Sequence, residues 1–537
     1  MNNTSTSYKY PLYLLGLWLA VALLVIFLSI WAADGHLVYS LDDPYIHLAL
    51  ADNILKGGYG INANEYSAPS SSMIYAFLLA GTQSLGLGDW GPLVINFLAM
   101  AAAVFVVGII LRDFILPGMT LDVQAGKLSR YSVALGLAMC ALMNSWALIM
   151  TGMEHSLHLL AAMLVVLGLL KIARHDTVTP RWLIAAIVAL PMIRFEGIAM
   201  SLLSILALWY LGRRKAALIA AVLVILILIG WSQFMQSLGL PIMPSSVQLK
   251  SDIVSNATTH TGSLFKVLHS IGLNLAESMR NRKGSLLALM LIFVVGFGVN
   301  AWQNKPDRRL ILVIGGMSIF SGLAHLFFGK FTGFSRYEIY ILSFVALSAL
   351  VIGRDQLKSP GMKLGVVFGL LLISIPYLNN TYRTPLASRN IYQQQYQMHR
   401  FAIEYWKKPV AVNDLGWVSY HNPSYVLDLW GLGSEEVRKM KLLGDLSAES
   451  LQKITDKKNV NLIMIYDIWY KNVPSSWTKV AELKTSQVSA ADGTVSFYVT
   501  PKVDLLKIRM LLQQFAKTLP SGASLVIEPD SPPGCRQ

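Results

Sequence analysis

The sequence predicts a polytopic α-helical membrane protein with about eleven transmembrane helices and a carboxyl-terminal extracytoplasmic α/β domain. Three observations lead to this fold class. The 537 residues are 54% hydrophobic and only 14% charged, whereas soluble globular chains carry about 25% charged residues. Apolar runs long enough to cross a bilayer recur over the first 380 residues, and strand and helix patterns alternate after them.

Charge and cysteine content exclude other classes. The net charge is +14, but Lys and Arg collect on the cytoplasmic loops of any polytopic membrane protein, so we predict no nucleic-acid partner. Cys140 lies within an apolar run and Cys535 lies two residues from the end. Two such distant cysteines predict neither a disulfide framework nor a thiolate metal site.

The transmembrane segments follow from runs of roughly 20 apolar residues. The run at 71–87 is short and interrupted by glycine, which predicts a helix lying at the membrane interface. We predict that 181–212 forms a hairpin of two helices. The candidate spans are 11–32, 91–111, 132–150, 155–171, 181–194, 195–212, 216–238, 284–303, 310–329, 337–353 and 362–378.

Basic residues set the predicted orientation. Five intervals hold three Lys or Arg each, and the positive-inside rule assigns them to the cytoplasm: 112–131, 171–181, 213–215, 304–309 and 354–363. The intervals 33–70, 151–154 and 330–336 hold few and are assigned to the outside. This assignment makes the amino terminus cytoplasmic. Because the number of spans is odd, the carboxyl-terminal domain then lies outside a bacterial inner membrane.

Domain limits follow from the change in composition. Residues 1–379 are predicted to form the transmembrane domain, in which 33–90 is the first external loop with juxtamembrane helices. Residues 380–520 are predicted to form the soluble α/β domain, entered through an amphipathic helix near 390–406. The proline-containing segment 521–537 is predicted to be a disordered tail.

Two adjacent carboxylates, Asp42 and Asp43, lie just outside the first span. Charge close to hydrocarbon is costly and is usually kept for function. Pro44 suits a first helical position, which makes Asp43 the expected N-cap and leaves Asp42 without a structural role. We therefore expect Asp42 to be the general base, with Asp43 as the second catalytic candidate. Coordination of a divalent cation is the alternative use of these acids, and no cofactor is otherwise predicted.

Further charged residues lie at the predicted outer ends of other spans. Arg194 and Arg336, with Lys250 in the long external loop, are candidates to bind a phosphate. Glu154 and Glu196 are candidate second acidic groups or acceptor contacts. Each of these residues also has a structural alternative. Glu154 could be a solvated turn residue, Arg194 and Glu196 could form an internal ion pair, and Arg336 could anchor its helix.

In the soluble domain, Asp414 and Asp428 each follow a predicted strand. Ligands of α/β sheets collect beyond the carboxyl ends of strands, so Asp414 and the nearby His421 are candidate acceptor contacts. A structural turn is an equal alternative for each acid. No phosphate-binding glycine loop, dinucleotide fingerprint, zinc-protease motif or paired CxxC is present, so the corresponding activities have no support.

The order and the predicted side of these motifs resemble those of the GT-C superfamily of polyprenyl-phosphate-dependent glycosyltransferases, most closely bacterial arabinofuranosyltransferases. The resemblance covers most of the chain. Phe195 and Ser245 depart from it, because relatives commonly carry Pro and Asn there. It rests on Asp42-Asp43, 66–71, 152–154, 194–197, 244–250, Arg336-Tyr337, 414–416 and 428–432.

The resemblance implies an inverting membrane glycosyltransferase with two juxtamembrane helices in its first external loop. An acid of that loop would act as base, and the basic residues would hold the phosphate of a polyprenyl-phosphate donor. The implied partners are that donor, a glycan, lipid or protein acceptor, and the bilayer. Arabinofuranose is the candidate sugar. The alternatives are a secondary transporter, for which no internal repeat is evident, and a non-catalytic cell-envelope assembly protein.

Overall fold

The computed structural model describes residues 8–118, 129–175, 178–258, 264–304, 308–470 and 472–529. Within these ranges a bundle of apolar helices leads, through one long helix, into a six-stranded sheet. Cys535 lies outside the described residues, and Cys140 is buried in the helical bundle.

The amino-terminal part of the bundle contains ten helices. A π-helical turn at Leu111–Ile115 extends α4. The helices are α1 (Lys9–Ala32), α2 (Asp43–Leu55), α3 (Tyr75–Ser84), α4 (Trp90–Ile110), α5 (Arg130–Leu142), α6 (Ser145–Leu148), α7 (His155–His175), α8 (Arg181–Ile193), α9 (Gly197–Tyr210) and α10 (Arg214–Ser237).

Eight more helices complete the path to the soluble domain. Short helices of the long loop after α10 precede the next membrane helices. They are α11 (Ser245–Lys250), α12 (Asp252–Thr258), α13 (Leu264–Arg280), α14 (Arg282–Asn304), α15 (Arg308–Leu310), α16 (Gly316–Phe328), α17 (Ile339–Gly353) and α18 (Pro360–Gln393).

The predicted membrane segments coincide with these helices. Seven described helices are long and apolar enough to cross a membrane, and α5 with Ser145–Thr151 forms a further candidate bent by 47°. The shorter apolar helices α8, α9 and α17 account for the remaining predicted segments. The α8–α9 hairpin is confirmed. The run at 71–87 contains only α3, with ten residues, which is too short to cross a bilayer.

The soluble part forms a mixed sheet. It contains β1 (Val410–Val412), β2 (Val426–Asp428), β3 (Leu462–Ile465), β4 (Thr478–Lys484), β5 (Thr494–Val499) and β6 (Ser524–Ile527) in the order β2-β1-β3-β5-β4-β6. The strand β1 pairs in parallel with β2 and β3, and the other pairs are antiparallel. The carboxyl ends of β1 and β2 therefore lie side by side, which brings the segments after them together.

Five helices accompany this sheet. The entry helix differs from the expectation, because α18 runs without interruption past residue 380 and is followed by a short helix and a π-helical turn at Phe401–Trp406. The helices are α19 (Gln395–Arg400), α20 (Gly416–Ser419), α21 (Glu435–Leu442), α22 (Ala448–Lys457) and α23 (Leu505–Ala516).

The prediction of a disordered tail over 521–537 is wrong for its first part. Residues Ser524–Ile527 form β6, which pairs with β4 at the edge of the sheet. Alternating exposure along this strand shows that its pattern is that of a half-buried edge strand. The prolines at 529 and beyond follow the strand, and 530–537 lie outside the described residues.

Candidate functional site

A cavity of about 520 Å³ lies where the loop after α1, several membrane-helix ends and the soluble domain meet. Apolar and aromatic side chains form much of its wall, among them Ile46, Met153, Phe195, Phe328 and Tyr337. Its charged lining residues are Asp43, Arg194, Glu196, Lys250, Glu277, Lys330 and Arg336. Four of these carry a positive charge, so the cavity favours an anionic ligand with apolar parts.

The two acids of the first loop point to different surroundings. Helix α2 begins at Asp43, and consecutive helical residues differ in direction by about 100°. Asp42 occupies the cap position, but neither acid caps the helix through its side chain: Asp42 has helical dihedral angles and makes no capping hydrogen bond, and Asp43 already lies within the helix. The expectation that Asp43 serves as the N-cap is therefore wrong.

Asp42 has a structural role that sequence reasoning did not find. Its carboxylate accepts hydrogen bonds from the backbone N–H groups of Gly416, at 2.6 Å, and Trp417, at 2.8 Å, at the start of α20. A side chain at 416 would not fit, because its Cβ would lie 2.1 Å from the Asp42 carbonyl oxygen. Asp42 is 7% exposed and ties the loop after α1 to the soluble domain.

Asp414 belongs to the same contact. Its carboxylate accepts hydrogen bonds from Gln395 Nε2, at 2.7 Å, and from the Tyr466 hydroxyl, at 2.9 Å. Burial raises the pKa of Asp42 well above its ordinary value, and the adjacent Asp414 carboxyl raises it further. Burial likewise raises the pKa of Asp414. The two carboxyls are therefore most stable when they share a proton.

Asp43 faces the cavity. Its carboxylate forms an ion pair with Arg336, and its side chain is 29% exposed. Burial alone would raise the pKa of Asp43, but the charges of Lys250 and Arg336 hold that pKa well below its ordinary range. Asp43 is therefore ionised at neutral pH, and of the two adjacent acids it is the one that a ligand of the cavity can reach.

An unusual turn positions Arg336. Gly333, Phe334 and Ser335 all have positive φ angles, of 65°, 60° and 56°. Left-handed backbone costs energy for residues other than glycine, and such strain persists only where the surroundings hold it. Three side chains stabilise this turn by hydrogen bonds. Asn380 donates to the Phe334 carbonyl, Asn144 donates to the Ser335 carbonyl, and Lys283 donates to the Ser335 hydroxyl.

Lys283 also pairs with a buried acid beside this turn. Its ammonium group lies 3.0 Å from a carboxylate oxygen of Glu338, which is fully buried. Burying a carboxylate without a partner is costly, so this lysine neutralises Glu338 beside the Arg336 turn.

Arg194 lies between two acids, of which Glu154 is fully buried and Glu196 is partly exposed. Its guanidinium forms ion pairs with Glu154 and, at 2.8 Å, with Glu196, in the break between α8 and α9. The Ser71 hydroxyl donates a further hydrogen bond to Glu154. Burial alone would raise the pKa of Glu196, but Arg194 lowers it to about 2. The ring of Tyr337 lies within about 5 Å of both Arg194 and Arg336 and joins the two arginines.

Lys250 ends the short helix α11, which the soluble domain holds in place. Arg438 donates a 2.5 Å hydrogen bond to Gln248, and the Ser245 hydroxyl donates to Glu435 at 3.2 Å. Lys250 lies in the field of Tyr337 and Asp43, both of which raise its pKa, and it remains charged. Its ammonium group forms no ion pair with the residues that the structure describes.

The other predicted site residues of the soluble domain lie elsewhere. His421 does not line the main cavity; its Nε2 lies 3.2 Å from Asp52 in a second cavity of about 460 Å³ beside the carboxyl-terminal half of α2. Asp428 accepts hydrogen bonds from the N–H groups of Trp430 and Gly433, both at 2.7 Å, and so shapes the turn that brings Trp430 to the main cavity.

Several cavity residues escaped sequence reasoning. Glu277 and Lys330, which pair across 3.3 Å, carry no motif that distinguishes them, and Trp430 lies in the 428–432 motif without a role having been predicted for it. His47 had a usable signal, because it follows Asp43 by four residues and so shares its helix face. Among the described residues, no group of three or more His, Cys, Asp or Glu side chains could hold a metal ion.

Three comparisons place these observations among known proteins. A family model described as a domain of unknown function, DUF8728, matches residues 389–498. No curated protein matches the chain. Arabinofuranosyltransferase AftD from Mycobacteria matches with 12% identity over 91% of this chain and 42% of its own, at a TM-score of 0.43, which does not establish a shared fold.

The structure of ArnT from Cupriavidus metallidurans, bound to undecaprenyl phosphate, is similar throughout. The match covers 90% of this chain and 98% of that chain, with 14% identity and a TM-score of 0.51. This match shows that the chain shares the fold of that structure over most of its length.

Proposed function

We propose that this protein is an inverting membrane glycosyltransferase that moves one sugar from a polyprenyl-phosphate donor to a glycan, lipid or protein acceptor. One observation carries the proposal. The main cavity brings Asp43 together with Arg194, Lys250 and Arg336, although these residues come from four separate parts of the chain. A carboxylate beside a cluster of cations is what transfer from a phosphate leaving group requires.

The three cations would bind the donor phosphate. When the bond between sugar and phosphate breaks, negative charge develops on the phosphate, and cations held in place stabilise it without reorganising. Lys250, which forms no ion pair with the described residues, has its charge available for a ligand. Arg336 has one carboxylate partner and Arg194 has two, so Lys250 and Arg336 are the main phosphate contacts in this proposal.

Asp43 would act as the base that takes the proton of the acceptor hydroxyl. Inversion needs one base on the face of the sugar opposite the leaving group, in contrast to the two carboxylates of retaining hydrolases. Glu154 and Glu196 are both bound to Arg194, so their role in the proposal is to orient that arginine. Asp42, bound to the backbone of the soluble domain, would position that domain over the cavity.

The site is proposed to face the extracytoplasmic side of a bacterial inner membrane. The basic intervals 171–181, 213–215 and 354–363 support this orientation, because they lie at the opposite ends of the helices that form the cavity. Arabinofuranose is the proposed sugar, a choice supported by the resemblance in sequence motifs. The undecaprenyl phosphate bound to the similar ArnT chain supports a polyprenyl carrier.

Donor turnover tests the proposal. The purified protein is incubated with undecaprenyl-phosphate arabinofuranose and bacterial membranes as the source of acceptors, and release of undecaprenyl phosphate is followed by mass spectrometry. We expect release by the wild type and weaker binding of undecaprenyl phosphate by Lys250→Ala. Lys453→Ala, at an exposed lysine of α22, is the matched control. Unchanged affinity in Lys250→Ala contradicts its phosphate role, and absence of release across a panel of donors contradicts the function.

A further inference from the structure

His47 is a buried histidine in the wall of the main cavity. It is 3% exposed and follows Asp43 by four residues, which puts their Cβ atoms about 5–6 Å apart on the same face of α2. Its Nδ1 has no hydrogen-bond partner among the described residues. The ring of Tyr75, on α3, meets the imidazole edge-on at 5.3 Å. A buried polar atom without a partner is costly, and here it adjoins the space left for a ligand.

Charged groups of both signs surround this imidazole. Asp43 on α2 and Glu154 before α7 stabilise a protonated ring, whereas Arg336 before α17 and Lys250 on α11 oppose protonation. Burial is the largest influence and lowers the pKa of His47. The side chain is therefore neutral at neutral pH and able to accept a proton, and two carboxylates are in place to stabilise the imidazolium that results.

The chemistry of Asp43 calls for such a partner. A carboxylate stabilised by Lys250 and Arg336 holds a proton weakly, so a proton taken from an acceptor hydroxyl must move on from it. We propose that His47 takes up this proton, so that Asp43 and His47 act together as a carboxylate–imidazole pair. This role rests on the glycosyl transfer proposed above.

The step balances as follows. The O–H bond of the acceptor breaks, its oxygen forms a bond to the anomeric carbon, and the bond from that carbon to the phosphate oxygen breaks. The electron pair of that last bond leaves with the polyprenyl phosphate. The proton passes through Asp43 to the imidazole of His47. The imidazolium then loses its proton to solvent after the products leave, which restores the neutral ring.

A pH–rate profile tests the role. The release of undecaprenyl phosphate is measured between pH 5 and 8 for the wild type, His47→Gln and His47→Asn, with His269→Gln, at an exposed histidine of α13, as control. We expect the wild-type rate to fall as the pH decreases, because protonated His47 cannot accept a proton. In both His47 variants turnover should fall by about 100-fold or more and this acid limb should disappear. Binding of undecaprenyl phosphate and the unfolding temperature should stay close to the wild-type values.

Other outcomes overturn the proposal. If either His47 variant keeps the turnover of the wild type and the same fall in rate at low pH, proton uptake by His47 is ruled out. A loss of undecaprenyl phosphate affinity that matches the loss of turnover makes His47 a binding residue instead. Failure of the wild type to release undecaprenyl phosphate from any donor contradicts the glycosyl transfer itself, and the role of His47 with it.

Discussion

The two faces of helix α2 use similar residues for different purposes. On one face, Asp43 and His47 line a cationic cavity, and Asp43 is held ionised by Arg336 and Lys250. On the other face, Asp42 is bound to the backbone of the soluble domain and shares a buried site with Asp414. The pKa values of these adjacent carboxyls therefore shift in opposite directions. Burial, reinforced by Asp414, raises the pKa of Asp42, whereas Lys250 and Arg336 lower the pKa of Asp43 despite its burial.

This difference shows how the soluble domain and the membrane helices form one site. The Asp42 contact fixes the domain to the loop that carries Asp43, and the domain in turn holds α11 and supplies Trp430 to the cavity. The cavity is therefore built by both parts of the chain. The contact of Asp42 therefore assembles the site, whereas Asp43 and His47 belong to the proposed chemistry.

The largest expected effect within the cavity is that of Arg336→Ala. Loss of a preorganised cation should lower donor turnover by about 100- to 1,000-fold, since developing charge on the phosphate would be left unstabilised. Steady-state release of undecaprenyl phosphate measures this effect. Arg336→Lys should recover part of the activity, and Arg389→Ala, at an exposed arginine of α18, should match the wild type. An Arg336→Ala enzyme with normal turnover would remove this residue from the site.

On the other face, Asp42→Asn should act mainly on stability. The variant keeps one acceptor oxygen but loses a charge-assisted hydrogen bond to backbone N–H, which should cost about 1–3 kcal/mol. The midpoint of denaturant unfolding measures this change. Asp52→Asn, which removes only the partner of exposed His421, should cost about 1 kcal/mol or less. Equal losses in the two variants would contradict the structural role of Asp42.

The carboxyl pair should also make stability depend on pH. Because the pKa values of Asp42 and Asp414 are raised in the folded protein, the folded state binds more protons than the unfolded state above the ordinary carboxyl range. The contribution of this pair to stability should therefore decrease as the pH rises through the raised values. Unfolding midpoints between pH 4 and 8, compared for the wild type and Asp414→Asn, measure it. A wild-type profile parallel to that of Asp414→Asn would refute the coupling.

The smallest effect is expected for Glu196→Gln. Arg194 retains its ion pair with fully buried Glu154, and the Glu196 side chain is 32% exposed, so the guanidinium should keep its position. We expect turnover to change by no more than a few-fold, as is usual for a partly exposed ion pair. Turnover assays check this. A loss as large as that of Arg336→Ala would show that Glu196 contacts the substrate directly.

Local patterns in the sequence account well for the membrane helices and most strands. Apolar length was sufficient for the membrane helices, and short apolar runs were sufficient for β3, β4 and β5. The partner of Asp42 could not be predicted from the sequence, because Gly416 is 374 residues away and no local pattern encodes their contact. The strand β6 was missed because the prolines at 529, 532 and 533 led to a prediction of disorder for the whole segment, although the four residues of β6 precede them.

Comparison of Asp43→Asn with Asp42→Asn tests the central claim most directly. Both variants replace a carboxyl by an amide at neighbouring positions, so the release of undecaprenyl phosphate per folded molecule separates chemistry from assembly. We predict that Asp43→Asn lowers the turnover of folded protein by about 100- to 10,000-fold, whereas folded Asp42→Asn stays within a few-fold of the wild type. Retained turnover in Asp43→Asn together with loss in Asp42→Asn would contradict the assignment and make Asp42 the base.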